Sequence, residues 1–277
     1  MEEHINKIIN KDCVEGLKEL PDESVDLIVT DPPFNIGKKY DSPFKDRKNT
    51  DEYIEWCKMW LKECIRVLKQ EGSLYLFNYP QNNAYLMPFL DQHLLFKRWL
   101  TWHYPTNTGH SKYNYTRTQH SILFYCKGKK QSDCVFNKED IAEPYRNPED
   151  KRIKKLIEKG SKGKTPYDVF KYGYNGEDLL EMNIVKNVNK DKTPHICQLP
   201  VKLVDVFVKA SSKEGEVVLD PFAGSGTVPY SAKKNNRKYI GFELSEEYCQ
   251  IAKARLKPTL VNPKSSPPAP EKNDAIF

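Results

Sequence analysis

No run of 18 apolar residues occurs in this chain, and its N-terminus has no apolar core of the kind a secretory leader carries. The expectation is therefore a cytoplasmic protein with no membrane partner. Cysteine is sparse and unpatterned: seven residues, an odd number, with no CxxC pair. That argues against a disulfide framework and against a zinc site, and it leaves buried thiols and no metal as the reading. No internal repeat is present. Acidic residues are missing altogether between Asp91 and Asp133. The glycine-containing segment Asp220 to Thr227 lacks the Lys-Ser/Thr pair that closes a phosphate-binding P-loop, which speaks against nucleoside triphosphates as ligands.

What is present begins with Asp31-Pro32-Pro33-Phe34, directly after the apolar run Ser24 to Thr30. A strand ending at Thr30 projects Asp31 from its C-terminal end, where open α/β sheets put their ligands. The prolines fix their own φ angles, and Pro32 biases Asp31 towards an extended backbone. Such a tetrapeptide offers a carboxylate, carbonyls and a flat ring, which is what an exocyclic amine on a planar base needs. A strand followed by a Pro-Pro turn accounts for the same letters without any function.

A second constellation runs from Glu216 to Thr227 and reads as strand, glycine loop and helix start, with Asp220, Phe222, Gly224, Ser225, Gly226 and Thr227 in order. Glycines at 224 and 226 permit positive φ and close approach of a ligand. Three places after Gly226 stands Pro229, where a dinucleotide fingerprint has its third glycine. The next strand, Lys238 to Phe242, runs into Glu243, an acid spaced to accept from ribose hydroxyls. The pattern suits a nucleoside better than a pyrophosphate, and a nicotinamide oxidoreductase is disfavoured.

Together these residues resemble the DNA amino-methyltransferases that use S-adenosylmethionine, in which DPPF or DPPY is catalytic and DPFxGSGT is the cofactor loop. The likeness runs from about Ile5 to Leu256, and the order, with the catalytic tetrapeptide first and the glycine loop last, is that of the permuted beta group. The resemblance implies a Rossmann-like methyltransferase fold of the α/β class: a mostly parallel twisted sheet, helices on both faces, circularly permuted motifs. It also implies S-adenosylmethionine as cofactor, held by Asp12, Asp220, Phe222, Gly224 to Thr227 and Glu243. Asp12, which the family places at the cofactor adenine, reads equally well as a helix N-cap. His195 is a further candidate neighbour of the cofactor by this resemblance, in a segment, His195 to Pro200, that keeps only the His, Gln and final Pro of the family's HPTQKP-like stretch. By the same resemblance, the target adenine is rotated out of the duplex onto Phe34, and Asp31 with the Pro32 carbonyl accepts the two amine hydrogens. The catalytic set is thus Asp31, Pro32, Pro33 and Phe34. Asp31, where cytosine-modifying members more often have Ser, points to adenine N6.

Strands are expected near residues 5–9, 24–30, 73–77, 96–103, 119–126, 216–220 and 238–243, with helices between them. A helical run from Asp51 to Lys69 carries Trp56, Trp60, Cys57 and Cys64 as core. Residues 1–257 then form one catalytic domain, and 258–277, rich in proline, form a disordered tail. The acid-free window holds Lys97, Arg98, Lys112, Arg117 and Lys127, with His103, His110 and His120, among Trp99, Trp102, Tyr104, Tyr113 and Tyr115. Residues 127–194 have 16 Lys plus Arg against 12 Asp plus Glu, with Lys151 and Arg152 in the most basic stretch. Basic groups interleaved with aromatics suit phosphates and displaced bases. Target recognition is therefore expected over residues 104–194, with a mobile loop around Thr108 to Ser111. Lys112, Arg117, His110, Lys151 and Arg152 are its candidate contacts to double-stranded DNA; for any single lysine there, a solvated helix face is the plainer account. A homodimer and a cognate restriction endonuclease are the partners the resemblance suggests. Cytosine methylation, RNA adenine methylation and a catalytically silent nucleic-acid-binding subunit are the alternatives.

Overall fold

The computed structural model describes residues 1–37, 46–103, 112–170 and 198–257. His110, His195, the whole of the expected loop at 108–111 and the tail at 258–277 lie outside the described residues. In chain order the elements are β1 (Lys7–Asn10), α1 (Cys13–Lys18), β2 (Val25–Thr30), α2 (Thr50–Val67), β3 (Leu68–Asn78), α3 (Pro80–Leu90), β4 (Leu95–His103), β5 (Gln119–Cys126), α4 (Lys151–Glu158), β6 (Val169–Phe170), α5 (Val201–Ser211), β7 (Val217–Asp220), α6 (Thr227–Lys234), β8 (Lys238–Glu243) and α7 (Glu246–Arg255).

The strands form one eight-stranded sheet in the order β1-β8-β7-β2-β3-β5-β4-β6. Strand β5 runs against both β3 and β4, and every other pairing is parallel. From β2 the chain crosses through α2 to β3 on one side, while from β7 it crosses through α6 to β8 on the other. The connections diverge between β2 and β7, and a crevice opens above a sheet at such a switch point.

Central β2 shows why the sheet is buried on both faces: Val25, Leu27, Ile28, Val29 and Thr30 are all buried, as a strand covered by helices on each side demands. Leu27, Val29, Phe77, Phe207 and Val228 belong to the core under α5, α6 and α7. Ile28, Trp60, Leu61, Leu86 and Phe242 belong to the core under α1, α2 and α3. The one acid in β2, Asp26, is used structurally. Its Oδ1 accepts from Lys69 Nζ at 2.8 Å and its Oδ2 from the Val217 N–H at 2.9 Å, so it ties three strands at their lower ends.

Three readings need correction. Helix α2 stops at Val67, and Leu68 to Gln70 already belong to β3, because Leu68 pairs with Val25 of β2. The two-residue β6 was too short to carry an alternating pattern, and it is set by its pairing with Thr101 and Trp102. The cysteines are not all thiols: Cys126 and Cys134 form a disulfide across the turn that follows β5, with Cα atoms 6.2 Å apart. Residues eight apart around a turn can reach this spacing without any sequence signature. Cys13, Cys57, Cys64 and Cys249 are free and buried, as expected.

Candidate active site

Strand register gathers the acids. Asn10 of β1 lies beside Glu243 of β8, Gly241 of β8 beside Asp220 of β7, and Leu219 of β7 beside Ile28 of β2. Asp12, Glu243, Asp220 and Asp31 therefore stand along the C-terminal edge of four consecutive parallel strands. One cleft is lined by all four, together with Pro32, Pro33, Phe34, Phe222, Gly224, Ser225 and Thr227. The two motifs, almost two hundred residues apart in sequence, form opposite parts of one pocket.

The tetrapeptide Asp31 to Phe34 is held from beneath. The Pro33 carbonyl accepts from the Tyr53 hydroxyl at 2.7 Å, and the Phe34 carbonyl from Asn82 Nδ2 at 3.0 Å. No hydrogen bond from the described residues reaches the Pro32 carbonyl. Beyond Phe34 the chain turns at Asn35, whose φ is +62°, and Asp46 closes the turn by accepting from the amides of Asn35 at 2.7 Å and Ile36 at 3.2 Å. Asparagine is among the few residues that adopt this backbone readily. The half-buried Phe34 ring lies 5.2 Å from Tyr79 and 5.3 Å from His120 between centroids.

In the glycine loop, Gly224 and Gly226 have φ of +49° and +77°. They serve different ends. A Cβ on Gly226 would meet Ala252 of α7 at 2.9 Å, so this glycine admits a helix and not a ligand, contrary to the expectation for both. Gly224 lines the cleft and donates its N–H to Oε2 of Glu243 at 2.7 Å. Pro229, in the third-glycine position, packs towards Gly241 of β8, so here the strand supplies the small residue. Asp12 caps α1 by accepting from Val14 N at 2.9 Å, and it also lines the cleft.

Burial lifts the carboxyl of Asp220 well above the usual range, and the nearby charges of Asp31 and Glu243 lift it further. Burial also raises Glu243, against the pull of amide hydrogen bonds from Ser245, Gly224 and Leu244. A cleft with several acids, a flat aromatic wall and a single basic side chain, Lys11, suits a cationic nucleoside and not a polyphosphate.

Of the nucleic-acid candidates, Arg117 lies against the Tyr79 ring, 3.5 Å from its centroid, close to Phe34. Lys112 is exposed above Tyr113. Lys151 and Arg152 open α4, which buries no side chain; neither lines the cleft, and Arg152 is paired with Asp150 at 3.3 Å.

Three features were not read as functional. Trp56, taken as core, lines the cleft beside Phe222, with ring centroids 5.7 Å apart. Tyr248 of α7 lines it too. Tyr53, Asn78 and Asn82 support the tetrapeptide, and nothing in their spacing announces it.

Fold and cleft together define an S-adenosylmethionine-dependent methyltransferase. The model of the N6/N4 DNA methylase family matches residues 25–254, and the chain belongs to that family. It is 35% identical over 255 residues to the type II methyltransferase M.HpaI of Haemophilus parainfluenzae, covering 90% of this chain and 74% of that protein. It is 34% identical over 253 residues to the DNA adenine methyltransferase YhdJ of Escherichia coli strain K12, covering 90% and 82%. The solved cytosine-N4-specific PvuII DNA methyltransferase shares the fold, with a TM-score of 0.66 at 18% identity over 92% of this chain and 87% of that one. Among the described residues, no helix is long and apolar enough to cross a membrane, and no cluster of metal-ligating side chains occurs.

Proposed function

We propose that this chain methylates the exocyclic N6 amine of adenine within a short recognition sequence in duplex DNA. The observation that carries the reading is the Pro32 carbonyl, uncommitted ahead of the held carbonyls of Pro33 and Phe34 and adjacent to Asp31 at the cleft. An adenine rotated out of the duplex, at an unstacking cost of a few kcal/mol, stacks on Phe34. The Asp31 carboxylate and the Pro32 carbonyl accept its two amine hydrogens and draw the lone pair out of ring conjugation. S-adenosylmethionine, when bound, supplies the electrophilic methyl group. Asp12 and Glu243 hold its nucleoside, and Gly224, Ser225, Thr227, Asp220 and Phe222 shape the loop around it. Rate then comes mainly from positioning and from acceptors set in advance for the charge that develops on nitrogen. The nitrogen becomes acidic as it is methylated, so no strong base is needed.

Asp31 in the first motif position supports adenine, as does similarity to a relative named an adenine methyltransferase. The family also contains N4 enzymes, which makes cytosine the second reading. Lys112 and Arg117 are proposed as DNA contacts within a target-reading region at 104–194 of a single domain spanning 1–257. Action as a homodimer, alongside a cognate restriction endonuclease, completes the proposal; similarity to a type II methyltransferase supports the latter.

The test is expression in a methylation-deficient bacterial host, followed by single-molecule sequencing that reports modified bases. N6-methyladenine confined to one short motif is the expected result. N4-methylcytosine would establish the second reading, and unmodified DNA would overturn both.

A further inference from the structure

Beneath the catalytic tetrapeptide lies a polar network that the packing of the sheet does not require. Asn78, at the end of β3, and Tyr53, in the first turns of α2, are both fully buried. Asn78 Nδ2 donates to the Tyr53 hydroxyl at 2.9 Å, and that hydroxyl donates to the Pro33 carbonyl at 2.7 Å. Asn78 Oδ1 accepts from Asn82 Nδ2 at 2.9 Å, and Asn82 Nδ2 also donates to the Phe34 carbonyl at 3.0 Å. The same Oδ1 accepts from the Tyr79 amide at 2.8 Å, which anchors the ring that meets Phe34. Ser121 of β5 closes the system by donating to the Asn78 carbonyl at 2.8 Å. Every polar atom of the Asn78 side chain is thus committed towards the site.

Buried amides and phenols are costly unless satisfied, and satisfied networks fix geometry. Two of the three carbonyls that follow Asp31 are taken by this network, and the third is Pro32's. Resting on the methyl-transfer reading above, we infer that Asn78, acting through Tyr53 and Asn82, is a positioning residue. It holds the Pro33 and Phe34 carbonyls away from the substrate, so that the Pro32 carbonyl is the acceptor presented to the amine. Misplacement of a reacting group by about 1 Å can cost about a hundredfold.

Asn78 itself is a risky target because its removal could unfold the protein. Tyr53→Phe keeps the ring, and Asn82→Ala alters a half-buried side chain. Each variant, as full chain, is compared with wild type for single-turnover methyl transfer at saturating DNA and cofactor, for cofactor and DNA dissociation constants, and for melting temperature. The expected result is a transfer rate reduced between about tenfold and a hundredfold, with both dissociation constants within about twofold of wild type. Wild-type rates in both variants would overturn the inference. So would rate losses matched by losses of cofactor affinity or stability, since those mark a merely structural network. Absence of methyl transfer by the wild type itself would overturn the underlying reading, and this inference with it.

Discussion

The backbone N–H of Gly224 donates to Oε2 of Glu243 at 2.7 Å, and the N–H of Ser245 to Oε1 of the same side chain at 2.8 Å. The glycine loop after β7 and the exit of β8 are therefore one unit. Glu243 is thus held by backbone amides independently of any ligand. The arrangement costs a buried charge, which is why the carboxyl titrates above its ordinary range despite its amide donors.

That elevation predicts proton-linked cofactor binding. Asp220 and Glu243 both have raised carboxyls in the free protein, and a sulfonium cation favours their ionised forms. Binding of S-adenosylmethionine should release protons, and its affinity should rise with pH through the raised carboxyl range and level off above it. S-adenosylhomocysteine, which lacks the sulfonium, should show a shallower dependence. Titration calorimetry in buffers of different ionisation enthalpy measures the proton count directly; proton uptake would contradict the prediction.

Stability should carry the same signature with a defined sign. A carboxyl whose folded pKa exceeds its unfolded value contributes fully below the unfolded pKa, and that contribution is lost as pH rises through the folded pKa. Asp220→Asn removes the loss while leaving an oxygen for the Phe222 amide, which donates to Oδ1 at 3.0 Å. The variant should be more stable than wild type at neutral pH, and the gap should close as the pH falls towards the ordinary carboxylate range. Thermal melts across pH check this, and a constant difference would disprove it.

Asp31→Ala should abolish methyl transfer, by at least about a thousandfold, while S-adenosylmethionine binds with nearly wild-type affinity. Equilibrium binding alongside a filter assay separates the two. A variant retaining most of its turnover would remove Asp31 from the mechanism.

Gly226→Ala should destabilise the fold by about 2–3 kcal/mol, since it combines an unfavourable positive φ with overpacking against Ala252. Adding Ala252→Gly should recover the packing part and leave the backbone part. Denaturant melts of the single and double variants provide the measurement.

Arg117→Ala should weaken DNA binding and lower the slope of log affinity against log salt by about one unit, with cofactor affinity unchanged. A salt series of fluorescence-anisotropy titrations reads both. The position of Arg117 over Tyr79, near Phe34, singles it out from Arg152, which does not line the cleft.

Much of this was legible in the residues because the strongest signals are short and rigid. Asp31 to Phe34 and Asp220 to Thr227 each follow an apolar strand whose end dictates where the next side chains go. What was not legible depends on neighbours remote in sequence. Asn78 and Asn82 are ordinary polar letters until α2 and β3 meet, and Trp56 has the spacing of a core residue and also the surroundings of a pocket wall. The separate duties of Gly224 and Gly226 depend on where α7 lies, and local φ demands alone do not distinguish them. The start of β3 at Leu68 reflects pairing with β2, which overrides the helical pattern leading up to it.

The pairing of β2 with β7 has a consequence for synthesis. Asp26 waits for the Val217 amide, 191 positions downstream. At about 5–20 residues per second, the central strand spends roughly ten to forty seconds without one of its two neighbours. A nascent or prematurely terminated chain already displays the whole catalytic tetrapeptide, yet it has no glycine loop to set against it. Connectivity alone thus leaves an incomplete chain without one wall of the cleft, and with the flank of β2 that β7 covers left bare.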